Sequence, residues 1–303
     1  MSFASSIPSK PNPILLWSAA LLAKLRDKWQ TYLVNALIGT PLIAGALIMF
    51  LPLVWSVSFS FGQPHEFFKL PPPVIPSAIR LDNYESVFQR VDFARFFLNS
   101  VAVTACVTIA QLITCSMAGY AFARLRFPGK RLIFILFLAS MMVPQHVTLI
   151  PVFIIIRGMG LYNNLGALIV PYATSVFGTF LLKQFFETIP NELEDAAKID
   201  GAGFLQIYRL VMLPLAGPPL ATLAILTFNS SWNNFFWPLI FINSAEKMTL
   251  PLGMIYLRGQ DGVTNTGVLM AAIVLNLIPV LVFFMIFQRK LVEGVTLTGL
   301  KGA

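Results

Sequence analysis

Charged residues vanish for long intervals along this chain, and the apolar stretches between them set its plan. From Thr31 to Pro64 there is no Asp, Glu, Lys or Arg. That interval accommodates the ~20 apolar residues that carry a helix across a bilayer core and predicts a first span over about 32–58. Later apolar intervals predict spans over about 97–121, 132–156, 164–186, 216–242 and 267–288, each near the same length. Pro41 and Pro52 predict kinks in the first span, and Pro144 and Pro151 in the third. The expected fold is an all-α integral membrane protein of six transmembrane helices, spanning 31–289 between end segments 1–30 and 290–303.

The opening 30 residues start polar and Pro-rich, then give about ten apolar residues from Ile14 to Ala23, too few to cross ~30 Å of hydrocarbon. Lys24, Arg26 and Lys28 follow where a signal peptide would carry small cleavage-site residues. An interfacial helix with a basic end is expected there. The loop over 62–95 carries Leu70-Pro71-Pro72-Pro73, an extended stretch.

Composition agrees with this plan: 57% of the chain is hydrophobic and only 11% charged, against roughly 25% charged in a soluble domain. The net charge of +8 does not point to nucleic acid, because the cations flank apolar spans. With the termini inside, seven of the 21 Lys and Arg fall outside: Lys69, Arg80, Arg90, Arg95, Arg157, Lys247 and Arg258. The other fourteen fall inside, Arg124, Arg126, Lys130 and Arg131 among them, so both termini are expected in the cytoplasm. Cys106 and Cys115, nine residues apart in one predicted helix, would lie ~13 Å apart, too far for a disulfide. Both read as apolar packing residues.

The span interiors hold no carboxylate or amine, which argues against both a membrane enzyme and a carrier driven by an ion gradient. The spans do hold uncharged polarity. Leu226, Asn229, Asn233 and Trp237 fall on one face if the fifth span is a continuous helix. Amides facing lipid are costly, so this face should meet another helix or a cavity. Asn with Trp suits an uncharged polyol, through amide–hydroxyl hydrogen bonds and an indole packed on a sugar ring. Interhelical bonding that holds the bundle together fits the same face equally well. Gln145 in the third span is a further candidate for a solute pathway.

Between the fourth and fifth spans lies a polar island over 187–214. Pro190 stands at a helix start, Glu192, Glu194 and Asp195 place negative charge in its first turns, and Gly201 supplies a left-handed stop. Ala196 and Ala197 leave room for another backbone to approach.

The order Asp195-Ala196-Ala197, Gly201, Val211, Leu213-Pro214 resembles the EAA loop of ABC importer permeases, with Asp195 replacing Glu and Val211 replacing Ile. In that family the loop docks on an ATP-hydrolysing subunit. The resemblance implies that Glu194, Asp195, Ala196, Ala197, Asp200, Gly201, Leu213 and Pro214 carry that contact here. Asp82-Asn83-Tyr84, Asn99-Ser100, Phe127-Pro128-Gly129-Lys130 and Trp232-Asn233-Asn234-Phe235 resemble the carbohydrate permeases, with Asn234 replacing an acid. The small-residue, extended tail from Val292 to Gly302 resembles the ending of maltose-transporter-type permeases. By that likeness Thr296, Gly299 and Lys301 reach the ATPase.

The implied machine is a type I ABC importer in a bacterial inner membrane. It pairs a homologous second permease with two ATP-binding subunits, which hold ATP and magnesium, and an external substrate-binding protein. This chain needs no cofactor or metal and is not expected to be an enzyme. The pathway residues are then Gln145, Asn229, Trp232, Asn233, Asn234 and Trp237, facing a sugar-type solute. An ion-coupled carrier for a small polar solute and a permease for glycerol phosphate are the alternatives.

Overall fold

The computed structural model describes residues 13–63, 66, 73, 75–257 and 265–299, with side chains from 35 to 288 within those limits. It falls into two units, Met1–Ser56 and Val57–Ala303. The stretch Leu70-Pro71-Pro72 and residue Lys301 lie outside the described residues. Most of α1, Pro13–Ser60, belongs to the first unit, and its backbone is one unbroken helix through Pro41 and Pro52. The expected separation between an interfacial helix and the first span is therefore absent. Its Asn35–Ser60 portion has mean hydropathy 2.2, and Leu42, Leu47 and Ile48 on it are exposed.

The second unit is built around α3, Phe93–Arg124, which follows a short helix α2, Asp82–Arg90. Asn83 of α2 is buried and donates to the Ser60 and Gly62 carbonyls, each at 3.0 Å. At its start α3 binds a distant loop: Asn99 donates to the Glu246 and Met248 carbonyls at 2.9 Å, and the Ser100 hydroxyl accepts from the Leu250 amide. The Asn-Tyr and Asn-Ser pairs therefore fasten loops to the bundle.

The expected third span is broken. Helices α4, Lys130–Ala139, and α5, Leu149–Gly158, flank a 3-10 turn and a non-helical stretch that contains Pro144. Ten residues rise only about 15 Å, so neither piece crosses a bilayer alone. The fourth is interrupted too, between α6, Gly166–Ile169, with its following 3-10 turn, and α7, Val176–Thr188. Here α3 supplies the missing partners. Gln111 donates to the Tyr172 carbonyl at 2.9 Å and Thr114 to the Ala173 carbonyl at 2.7 Å. Cys115 accepts from the Ser175 amide at 3.3 Å and donates to its carbonyl at 3.4 Å. Backbone groups freed inside a membrane must be satisfied by neighbours, and one face of α3 does so. Cys115 thus does more than fill space.

After α7 come α8, Asn191–Ile199, and α9, Phe204–Ile207. A π-helical turn, Tyr208–Met212, and α10, Leu213–Leu215, lead through a 78° bend into α11, Gly217–Trp232. The expected fifth span is therefore α11 followed, after a break at Asn233-Asn234, by α12, Phe236–Phe241. Short α13, Leu250–Gly253, precedes α14, Thr266–Gly299, whose stretch to Gln288 matches the expected sixth span. The α14 backbone stays helical to Gly299, where an extended tail is expected; Thr296 and Gly299 sit on that helix. Helices long and apolar enough to cross a membrane number four among the described residues, with Gly166–Thr188 counted as one despite its interruption, or five with the bent pair counted.

Two apolar clusters stack along α3. One gathers Phe96, Val103, Trp232, Trp237, Phe241 and Val268 around its first half. The other gathers Cys115, Tyr120, Leu182, Phe186, Tyr208 and Met212 around its second. Gly119 lets α7 come close: a Cβ there would lie 3.0 Å from both Leu182 Cβ and the Lys183 amide nitrogen.

Candidate functional site

The polar island folds as its cap residues require. Pro190 stands just before α8, Glu192 and Glu194 lie in the first turn, and Lys198 lies in the last. At the other end Gly201 adopts φ +82°. The Gly201 amide bonds the Lys198 carbonyl at 3.0 Å and the Ala202 amide bonds Ala197 at 2.9 Å. That bond pair is the Schellman motif, which a left-handed glycine makes possible. Lys198 bridges back to Asp195 at 3.0 Å. The Gly203 amide donates to the Gln206 side chain, and the π-helical turn is tied to α3 by a Tyr208–Ser116 hydroxyl bond of 2.7 Å.

Asp195, Ala196, Asp200, Gly201 and Pro214 are exposed; Ala197 and Leu213 are half-buried. Among them stand exposed Leu193, Phe204, Leu205 and Leu210, with Ile199 87% exposed. Such an apolar cluster on a polar island makes it a candidate contact surface. Glu194 differs from the rest. It is buried, and its carboxylate meets Arg124 at 3.3 Å instead of facing outward with Asp195. At the same end Lys130, next to left-handed Gly129, donates to the Leu125 carbonyl at 3.0 Å. Burial, then the Lys183 cation, lowers the affinity of Lys130 for its proton.

The pathway candidates part company in the structure. Asn229 on α11 and Asn233 just past its end are exposed, and the Asn233 side-chain amide donates to both the Asn229 carbonyl and side chain at 3.0 Å. Trp232, 1% exposed, packs between Phe97 and Phe228 and donates to the Asn276 carbonyl at 3.1 Å. Trp237 is also buried, stacked on Phe241. The expected face of Leu226, Asn229, Asn233 and Trp237 is not continuous, because α11 stops at Trp232 and helix resumes only at Phe236. Asn234 spends its side-chain oxygen on the Trp237 amide at 3.2 Å, starting α12. Gln145 is exposed in the break between α4 and α5. His146 beside it lies 5.0 Å from Phe236, ring to ring, so the breaks of the third and fifth segments meet. An apolar groove of about 600 Å³ runs along α3, α11 and α14, past Val101, Ile109, Phe228 and Val282. Its lining suits acyl chains, not hydroxyl-rich solutes.

Residues 112–296 match the family described as the binding-protein-dependent transport system inner membrane component. The chain belongs to this family. The match runs from the middle of α3 through the island and into α14, so it takes in the whole candidate contact surface. The chain is 36% identical over 270 residues to the trehalose transport system permease protein SugB of Mycobacterium tuberculosis, covering 88% of this chain and 97% of that one. It is 35% identical over 260 residues to the arabinooligosaccharides transport system permease protein AraQ of Halalkalibacterium halodurans, covering 85% and 93%. In fold it is similar to a chain of a bacterial ABC transporter that imports the acidic polysaccharide alginate. There the TM-score is 0.74 and the identity 26%, over 87% of this chain and 97% of that one. The chain is thus a multi-pass inner-membrane permease, a transport component of a family that is not enzymatic.

Arg124 is the residue that sequence reasoning passes over. It counts there only as one cation among those flanking the second span. Its partners lie more than sixty positions away, and no local pattern announces them.

Proposed function

We propose that this permease forms one half of the translocation pathway of an ATP-driven sugar or oligosaccharide importer, moved by an ATPase that grips residues 190–214. The observation that carries the reading is the surface of α8 and α9. Helix α8, capped at Gly201, presents Leu193 and Ile199, and α9 after it presents Phe204 and Leu205, all where their own chain leaves them exposed. A separate subunit that covers them can push on α7 and α11 at once. A rigid, capped element transmits such a push because its end does not yield.

In this reading a homologous second permease completes the pathway, two ATP-binding subunits hold ATP and magnesium, and an external binding protein delivers the solute. Thr296, Gly299 and Lys301 approach the ATPase. Asn229, Asn233 and Gln145 face the solute, while Trp232 and Trp237 support them from the core. The relatives named for trehalose and arabino-oligosaccharides favour a saccharide.

The test is reconstitution with these partners in sealed proteoliposomes. Uptake of labelled trehalose or arabino-oligosaccharide should require internal or external ATP on the ATPase side and survive a protonophore. Uptake without ATP that collapses with the ion gradient would instead establish a secondary carrier. Selective uptake of glycerol 3-phosphate would overturn the saccharide assignment alone.

A further inference from the structure

Of the nine residues of α8, Glu194 is the buried one, and no large apolar side chain of that helix is buried. Of the helix's apolar side chains only the methyl of half-buried Ala197 packs on the second cluster. The element that must follow an ATPase therefore has no large apolar anchor in the bundle. What meets it is Arg124, the last residue of α3. The Arg124 side chain is 9% exposed, and its guanidinium gathers acceptors from three places in the chain. It donates to the Phe186 carbonyl of α7 at 2.7 Å, to the Ile189 carbonyl in the turn, and to the Asn191 side chain at the start of α8. It also faces Glu194 at 3.3 Å, an ion pair without the alignment of a hydrogen bond.

The Phe186 and Ile189 carbonyls lie where the ladder of α7 runs out, and such groups need partners from outside the helix. Asn191 and Glu194 belong to the next helix. One planar fork of five donors reaches both sets, which a single ammonium does not. We infer that Arg124 is the positioning residue that locks the docking helix to the membrane bundle, so that α8 moves with α3 as well as with α7. This rests on the reading of α8 and α9 as the ATPase contact. Helix α3 is 32 residues long, roughly 48 Å at 1.5 Å per residue. Its far end holds the loop at Glu246 and Met248 through Asn99. Displacement of α8 has, through Arg124, a direct line to the opposite end of the bundle.

The experiment compares wild type, R124K, R124M and E194Q in the assembled transporter. It measures solute uptake, ATP hydrolysis with and without loaded binding protein, and photo-crosslinking from a benzophenone residue at exposed Ile199 to the ATPase. R124M is expected to keep the crosslink and basal hydrolysis, while uptake per ATP falls at least tenfold and stimulation by binding protein is lost. R124K should recover only part of that ratio, and E194Q should lie between R124K and wild type. Wild-type uptake per ATP in R124M overturns the inference, as does loss of uptake and hydrolysis in equal proportion. Should R124M fail to insert, E194Q decides alone: an unchanged ratio there overturns it. Absence of the Ile199 crosslink in the wild type would instead sink the underlying docking assignment.

Discussion

Gly201 offers a way to separate what the chain demands of itself from what a partner demands of it. Its φ of +82° is a conformation that L residues adopt at a cost of roughly 1–2 kcal/mol, or about a 5–30-fold change in an equilibrium. Asparagine visits this region more readily than alanine. A Cβ placed on Gly201 meets nothing within 4 Å, so within the described residues the penalty is one of backbone alone and does not grow with side-chain size. Alanine and tryptophan should therefore disturb the isolated chain alike, with asparagine nearest to glycine. The assembled transporter should rank them differently, because a docked ATPase fills that open space. We expect G201N to retain most uptake, G201A to lose about 5–30-fold, and G201W to abolish it while inserting normally. The assay is binding-protein-dependent uptake in vesicles, normalised to inserted permease. Equal loss in G201A and G201W would show that nothing packs against Gly201. Wild-type uptake in G201W would refute the coupling role of the loop.

Other substitutions probe the bundle. Gly119→Val sets a branched side chain against the α7 backbone at a 3.0 Å approach. Overpacking of this kind costs about 1–3 kcal/mol and should lower the aggregation temperature of the detergent-solubilised complex, whereas Gly158→Ala, which meets nothing within 4 Å, should not. Gln111→Leu removes the donor to the Tyr172 carbonyl and the acceptor for the Thr227 hydroxyl. Each buried group so orphaned costs about 1–3 kcal/mol, and the same thermal assay should report it. Asn229→Leu with Asn233→Leu should leave folding intact and raise the KM for uptake without altering the affinity of the binding protein. Unchanged uptake would assign that pair to helix contact and not to the pathway.

The long-range plan of the bundle is readable in the sequence because it depends on local facts. The first, second and sixth spans are uninterrupted apolar stretches, and each is a long helix in the structure. Gly201 was equally legible, since a glycine after a short charged helix has few other uses, and its Schellman bonds are local. The third and fifth spans misled for a common reason. Hydropathy counts apolar residues without asking whether the backbone stays helical, and at Pro144 and at Asn233-Asn234 it does not. Once the helix stops, a face projected through it is fictitious, and Trp237 lies buried against Phe241 instead of beside the two exposed asparagines. The first segment misled in the opposite direction. The basic residues after Ala23 suggest a boundary, yet the backbone of α1 runs through them.

The island shows where the limit of a window lies. Its helical period can state that Glu194 and Asp195 point in different directions, but not which of them turns inward. That choice is made by Arg124, seventy positions earlier, because a buried carboxylate is tolerable only beside a cation or donors that replace its water. The same condition operates at the break after Tyr172. Gln111, Thr114 and Cys115 are ordinary polar or small residues in an apolar run, and only the freed carbonyls opposite give them meaning. In a membrane chain the apolar residues announce where helices cross. The few polar residues among them are spoken for by distant backbone, and they decide where those helices may stop, bend and be held.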